Sequence, residues 1–314
     1  MDKKALLLMG PTASGKTNLS LQLANFLPIE IISVDSALIY KGMDVGTAKP
    51  NLLEQQKVKH HLIDILSPVE NYSVFNFLQD IERLIFEINS QGKLAILVGG
   101  TMMYYNAILR GISRLPSSNP SIRLKLEEKI NLFGLNSLYG ELEKIDIDAA
   151  KKININDKHR IIRALEVYYI SGIALSKLQK DNWYNPLKDI NFLNLSLIPK
   201  REIVHQRISD RFDHMLAKGF IEEVSSLKIK YPELTKDHTS MRCVGYYEVW
   251  QYLDGIYPYE ELIFKAKAAT RQLAKRQITW LNNIDNYNLL ENSINSELNN
   301  QVIQIALNLI NNWL

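Results

Sequence analysis

Residues 5–17 read ALLLMGPTASGKT. Within them Gly10, Pro11, Thr12, Ala13, Ser14, Gly15, Lys16 and Thr17 spell G-x-x-x-x-G-K-T. An apolar run, 5–9, precedes this stretch, and apolar positions at helical spacing follow it: Leu19, Leu23, Phe26 and Leu27. Strand, loop and helix in that order are the setting a phosphate-binding loop requires. Glycines let successive N–H groups turn inward, Lys16 adds a positive charge, and the helix N-terminus favours an anion. The Thr17 hydroxyl is a candidate ligand for Mg²⁺. The motif specifies a phosphate or diphosphate and leaves the reaction open.

Outward from the loop, strand and helix signals alternate. Residues 29–34 (IEIISV), 61–66 (HLIDIL) and 94–98 (LAILV) have strand length and apolar character, and 74–89 carries Phe77, Ile81, Leu84, Ile85 and Ile88 at helical spacing. Buried runs alternating with helices predict an α/β fold, a parallel sheet with helices on both faces. Ligands in such folds gather at the C-terminal ends of the strands. Turn chemistry takes over at 111–120 (GISRLPSSNP), and 121–180 reads as consecutive helices. The clearest is 157–171, with Ile162, Leu165 and Tyr169 on one face and Gly172 at its end. Strand character returns at 192–198 (FLNLSLI), followed by a long helix from Pro199 to near Gly219 with Val204, Ile208, Phe212, Met215 and Leu216 inward. We therefore expect an α/β core from 1–115 and 191–314, interrupted by a helical insertion at 116–190. The Asn-rich segment 297–314 is amphipathic and predicts a packed helix.

Composition adds bounds. The 314 residues are 46% apolar and carry a net charge of +3, too small to imply a partner. One cysteine, Cys243, excludes an internal disulfide and a multi-cysteine zinc site. Residues 5–9 are too few for a signal-peptide core, and no run of eighteen apolar residues occurs. A cytoplasmic protein without a membrane segment is expected.

Three polar clusters follow predicted strands and should meet at the loop: Asp35-Ser36, Gly99-Gly100-Thr101, and Arg207 with Arg211. Asp35 has three readings: a helix N-cap, an Mg²⁺ ligand or a general base. The strand 94–98 ends in Gly-Gly-Thr, where many P-loop NTPases place an acid for Mg²⁺. That weakens an ATPase reading and leaves a kinase open. Near the C-terminus, 265–280 holds five basic side chains and no acidic one. Lys267, Arg271 and Lys275 recur every four residues, which places them on one helix face. With Arg276, Trp280 and Arg242 they suit a nucleic-acid surface; complementing the helix dipole is the plainer alternative. His60 and His61 are neighbours on a predicted strand and point to opposite faces, so they are expected to be structural.

Taken together, GPTASGKT, SVDSALIYKGMDVGTAKP, HHLIDI, LVGGTMMYYNAILRG, RALEVYYISG, MRCVGYYE and ATRQLAKRQITWL resemble the bacterial-type tRNA dimethylallyltransferases, in order, from residue 5 to about 282. The resemblance implies a P-loop NTPase-like core. It also implies transfer of a dimethylallyl group from dimethylallyl diphosphate to N6 of the adenosine 3′-adjacent to the anticodon, in tRNAs reading codons that begin with U. Mg²⁺ is the implied cofactor, and a monomer is expected. An adenylate isopentenyltransferase and a small-molecule P-loop kinase are the alternatives.

By the same resemblance Asp35 matches the general base, and Lys16 and Thr17 match the diphosphate and Mg²⁺ contacts. Thr101 and Arg123 match contacts to tRNA or diphosphate, and Arg207 or Arg211 joins the diphosphate site. The implied tRNA-binding segments are Asp35, Ser36, Ala37 and Leu38; then His159, Arg160, Ile161, Ile162 and Arg163. Arg242, Cys243, Val244, Gly245, Tyr246 and Tyr247 form a third. The last runs through Lys275, Arg276, Gln277, Ile278, Thr279, Trp280, Leu281 and Asn282. Two positions depart from the family's pattern: many relatives carry Gln where this chain has Leu38, and Arg where it has Tyr247. The lone cysteine also excludes the C-terminal zinc finger of eukaryotic relatives.

Overall fold

The computed structural model describes residues 3–284, 286–290 and 300–314. The chain forms two compact units, one from Met1–Asn106 with Asp189–Leu314 and one from Ala107–Lys188. In chain order the strands are β1 (Lys4–Met9), β2 (Ile29–Val34), β3 (His60–His61), β4 (Leu94–Gly99), β5 (Ile112–Ser113), β6 (Trp183–Tyr184), β7 (Asn191–Leu197) and β8 (Asn288–Leu290).

The first unit is built on a parallel sheet in the order β3-β2-β4-β1-β7-β8. Burial on both faces explains why the central strands β1 and β4 read as near-continuous apolar runs; β2 and β4 are buried throughout. Leu6, Leu8, Ile31, Ile96 and Val98 pack with Leu19, Leu23, Val302 and Ile310, from the helices Lys16–Leu23 and Asn300–Trp313. The helix Val74–Ser90 packs on β1, β2 and β4 through Phe77, Ile81, Leu84, Ile85 and Ile88. Register aligns the strand ends: Gly99 of β4 pairs with Met9 of β1 and with Val34 of β2. A Cβ on Gly99 would come within 2.0 Å of the Val34 carbonyl oxygen, so only glycine lets β2 and β4 close here. Gly10, Asp35 and Gly100 are thereby delivered to one edge of the sheet.

Several expectations are corrected. The predicted strand 61–66 stops after His61, because Leu62 and Asp64 take φ of 60° and 55°, which breaks an extended run. The first loop helix ends at Leu23, leaving Phe26 57% exposed. His60 and His61 do diverge: His60 Nδ1 lies 2.7 Å from the Val58 carbonyl, and His61 Nε2 lies 2.7 Å from the buried Glu30 carboxylate. Of the predicted C-terminal helix 297–314, residues 297–299 lie outside the described residues.

The second unit contains the helices Pro120–Phe133, Leu135–Ile145, Ile147–Ala150, Lys158–Ser171 and Leu175–Asp181. Its own core includes Leu126, Leu138, Leu142, Ile161, Ile162 and Leu165. Asp157 caps the fourth helix by accepting the Arg160 N–H at 3.1 Å, and Gly172 closes it at φ 71°. The unit begins at Ala107, ahead of residue 116, because β5 pairs antiparallel with β6 and ties its two ends together.

Candidate active site

The helix Lys16–Leu23 starts directly from the loop, with Gly15 at its N-cap. The N–H groups of its first turn have no helical partner, which suits them to bind an anion. Lys16 Nζ donates to the Pro11 carbonyl at 2.7 Å and lies 3.3 Å from Ser14 Oγ. Burial pushes its ammonium down to about 7, against the pull of the Asp35 charge and with added repulsion from Arg211. A diphosphate would reverse that balance.

The clusters named from the sequence converge on this loop. Arg207 Nη1 donates to the Ser14 carbonyl at 3.3 Å, and Arg211 Nη2 donates to the Thr47 carbonyl at 2.9 Å; both come from the helix Arg201–Ala217. Asp35 follows β2, and its Oδ1 accepts the Ala37 N–H at 2.8 Å. No helix starts there, so its cap is a local turn and the N-cap reading falls. Thr101 Oγ1 accepts the Ser36 N–H at 3.1 Å, which locks the β2 and β4 ends together.

Two cavities open on these ends. One, of about 630 Å³, is lined by residues 12–17, Leu38, Arg207 and Arg211. The other, of about 490 Å³, is lined by Ser36, Ala37, Thr101, Arg242, Cys243, Val244, Arg276 and Trp280, with an apolar wall that includes Met102, Phe212 and Met215. Thr12, Asp35, Thr47, Gly100, Arg211, Leu273 and Gln277 line both. A chamber lined by the phosphate loop with Arg207 and a chamber with an apolar wall therefore meet at the Asp35 carboxylate and the Arg211 guanidinium. Burial, with the Asp35 charge adding to it, pushes the Cys243 thiol up to about 12, which disfavours the thiolate that a nucleophile needs.

Some residues of the expected binding segments serve the interior instead. Gly245, Tyr246, Gln277 and Leu281 are buried, and the Tyr246 hydroxyl donates to Glu223. Tyr247, a departure from the family pattern, accepts from Gln251 Nε2 at 3.3 Å. In the helical unit Ile161 and Ile162 belong to the core, whereas His159 and Arg160 are exposed. Arg123 and Arg163 there both bind Glu166, at 2.9 and 2.7 Å.

Glu223 was not read from the sequence at all, and Gln277 was read only as part of a tRNA-binding segment. Glu223 accepts the N–H groups of Asp44, Val45 and Gly46 at 2.9, 2.7 and 3.1 Å, holding the loop that presents Thr47. Gln277 accepts the Thr12 N–H at 2.8 Å and donates to the Gly100 carbonyl at 2.7 Å. For Glu223 the one signal was its partner stretch, residues 44–50 (DVGTAKP), which carries part of the family resemblance. As for a cation, no cluster of three His, Cys, Asp or Glu side chains suited to a metal occurs among the described residues. The oxygens beside the loop, from Thr17 and Asp35, fit an Mg²⁺ that arrives on a diphosphate, which keeps most of its own ligands.

Residues 38–284 match the family model described as IPP transferase. The chain is 50% identical over 293 residues to a tRNA dimethylallyltransferase of Francisella philomiragia, covering 93% of this chain and 94% of that one. It is 48% identical over 283 residues to that of Chromobacterium violaceum, covering 90% and 87%. Among solved structures, the tRNA isopentenylpyrophosphate transferase of Bacillus halodurans superposes with a TM-score of 0.70 at 35% identity, over 99% of this chain and 96% of that one. A eukaryotic dimethylallyltransferase acting on tRNA gives a TM-score of 0.77 at 29% identity, over 99% and 80%.

Proposed function

The chain belongs to the IPP transferase family, and we propose that it transfers the dimethylallyl group of dimethylallyl diphosphate to N6 of the adenosine 3′-adjacent to the anticodon of tRNA. The observation that carries this reading is that Asp35 and Arg211 line both cavities. A reaction joining a diphosphate-bearing carbon to a nucleobase needs one junction with an anion clamp on one side and a base on the other.

In this reading the first-turn amides, Lys16, Arg207 and Arg211 bind the diphosphate. As the allylic C–O bond breaks, the leaving diphosphate takes the electron pair and these donors stabilise it. Mg²⁺ held with it by Thr17 would supply further charge neutralisation. The adenine N6 lone pair forms the new C–N bond, and Asp35 accepts the proton that N6 loses, a contribution of ~10²–10⁴-fold. The apolar wall at Met102, Phe212 and Met215 excludes water from the carbocation-like carbon. Exposed Arg242, Lys275, Arg276 and Trp280 supply cations and a flat face to RNA, and His159 and Arg160 serve the same end from the helical unit. No described helix is long and apolar enough to cross a membrane. The reading takes the enzyme to act on tRNA in the cytoplasm, as a monomer.

Labelled dimethylallyl diphosphate offered with unmodified tRNA, AMP or ATP tests this reading. Label is expected in tRNA alone. Preferred labelling of AMP or ATP would establish the adenylate-type reaction, and a need for hydrolysable ATP would establish a kinase-like one.

A further inference from the structure

Gln277 lies between basic and aromatic side chains, yet it is only 7% exposed, while Trp280 is 43% exposed. The helix Tyr259–Leu281 turns about 100° per residue, which carries Gln277 away from Arg276 and inward. Both ends of its amide are engaged inside the first unit. Thr12 N–H donates to Gln277 Oε1 at 2.8 Å, and Gln277 Nε2 donates to the Gly100 carbonyl at 2.7 Å.

The first bond reaches one particular peptide unit. Pro11 C=O and Thr12 N–H belong to the same planar group. Lys16 Nζ holds its carbonyl at 2.7 Å, and Gln277 holds its N–H. A diphosphate draws Lys16 toward itself, and the carbonyl then keeps only the longer bond from the Ser14 N–H at 3.3 Å. Gln277, at 2.8 Å from the Thr12 nitrogen, is the shorter of the two bonds left to keep this plane from rotating and presenting a carbonyl oxygen to the anion. The second bond fixes Gln277 itself to the end of β4. A Cβ on Gly100 would come within 2.5 Å of Gln277 Nε2, so glycine there is a condition for this bond.

We propose that Gln277 is a positioning residue that sets the phosphate loop for the donor diphosphate, its amide committed to Thr12 and Gly100 rather than to hydrogen bonds with RNA. The inference rests on the reading above only for the identity of the anion.

The test uses the full chain with Mg²⁺ and inorganic diphosphate, without tRNA, by calorimetry. Gln277→Leu fills a similar space without hydrogen bonds. It should lower diphosphate affinity about tenfold, the worth of one lost hydrogen bond, and raise the donor KM more than it lowers kcat. Binding of unmodified tRNA should stay within twofold at every salt concentration. Gly100→Ala presses on the same bond from its other partner. It should reproduce the loss, and the double variant should lose no more than either single one. If Gln277→Leu fails to fold, Gly100→Ala carries the test. Wild-type diphosphate affinity in both variants, or weakened tRNA binding with intact diphosphate binding, overturns the proposal. A wild-type protein that binds no diphosphate overturns instead the donor site on which it rests.

Discussion

Asp35 is held ready rather than consumed: one carboxylate oxygen is occupied by the Ala37 N–H, and the residue lines both cavities. Asp35→Ala should slow single-turnover transfer by ~10²–10⁴-fold and leave tRNA affinity within a few fold. An unchanged rate would remove it from the base role. Lys16 allows a second prediction. Its ammonium is pushed down to about 7 by burial, and a bound diphosphate favours the charged form. Above pH 7 the free site therefore lacks a proton that the complex holds, so binding takes one up and affinity falls as pH rises. Calorimetry at pH 8 in buffers of different ionisation enthalpy should show uptake approaching one proton, absent in Lys16→Arg, which is charged throughout. Asp35 and Lys16 were legible because a strand end and a loop motif announce them locally. Gln277 was not, because its partner Thr12 is 265 residues away and nothing in ATRQLAKRQITWL distinguishes an inward amide from an RNA contact.

The helix Tyr259–Leu281 divides its basic residues among different tasks, which the four-residue spacing alone did not reveal. Lys267 is paired with Asp213 at 2.7 Å and Lys265 with Glu261 at 3.2 Å. Lys275 and Arg276 are exposed. Both also stand before the last turn, where the dipole effect has faded, which favours RNA as their purpose. Changing both to Gln should weaken tRNA binding and flatten log K against log salt by about 0.7–0.9 per lost contact. An unaltered slope would return the pair to a solvated helix face. Strand legibility followed the same logic of burial. β1, β2 and β4 are mainly apolar strands that the sheet buries, β7 is buried in its second half, and all four were readable. β8 is a three-residue edge strand, too short to leave a pattern, and the positive φ at Leu62 and Asp64 that ends β3 has no glycine to announce it.

Each of the two units has its own core, so each can carry its own response to acid. In the helical unit that response centres on Glu166, whose side chain is wholly buried. Its carboxylate accepts from Ser118 Oγ at 2.8 Å, Asn119 N–H at 2.7 Å, Arg123 Nε at 2.9 Å and Arg163 Nη1 at 2.7 Å. Burial pushes the acid up, and these donors, the two guanidiniums foremost, overcome it and hold it at about 2. A carboxylate depressed on folding contributes stability that is present above its unfolded value of 4.5 and lost as pH falls through about 2. Hydrogen exchange of residues 107–188 in the full chain should therefore report progressive loss of protection stability between those limits. Glu166→Gln removes the titrating group and should flatten that dependence. At neutral pH it should cost the unit less than the about 3–5 kcal/mol of a fully buried broken pair, because Arg123 and Arg163 are partly exposed and regain water. The parallel-sheet unit should keep its own protection in the same variant. If instead Glu166→Gln leaves residues 107–188 as stable at pH 7 as the wild type, the carboxylate does not hold that unit together, and the positions of Arg123 and Arg163 must be set by the surrounding apolar core.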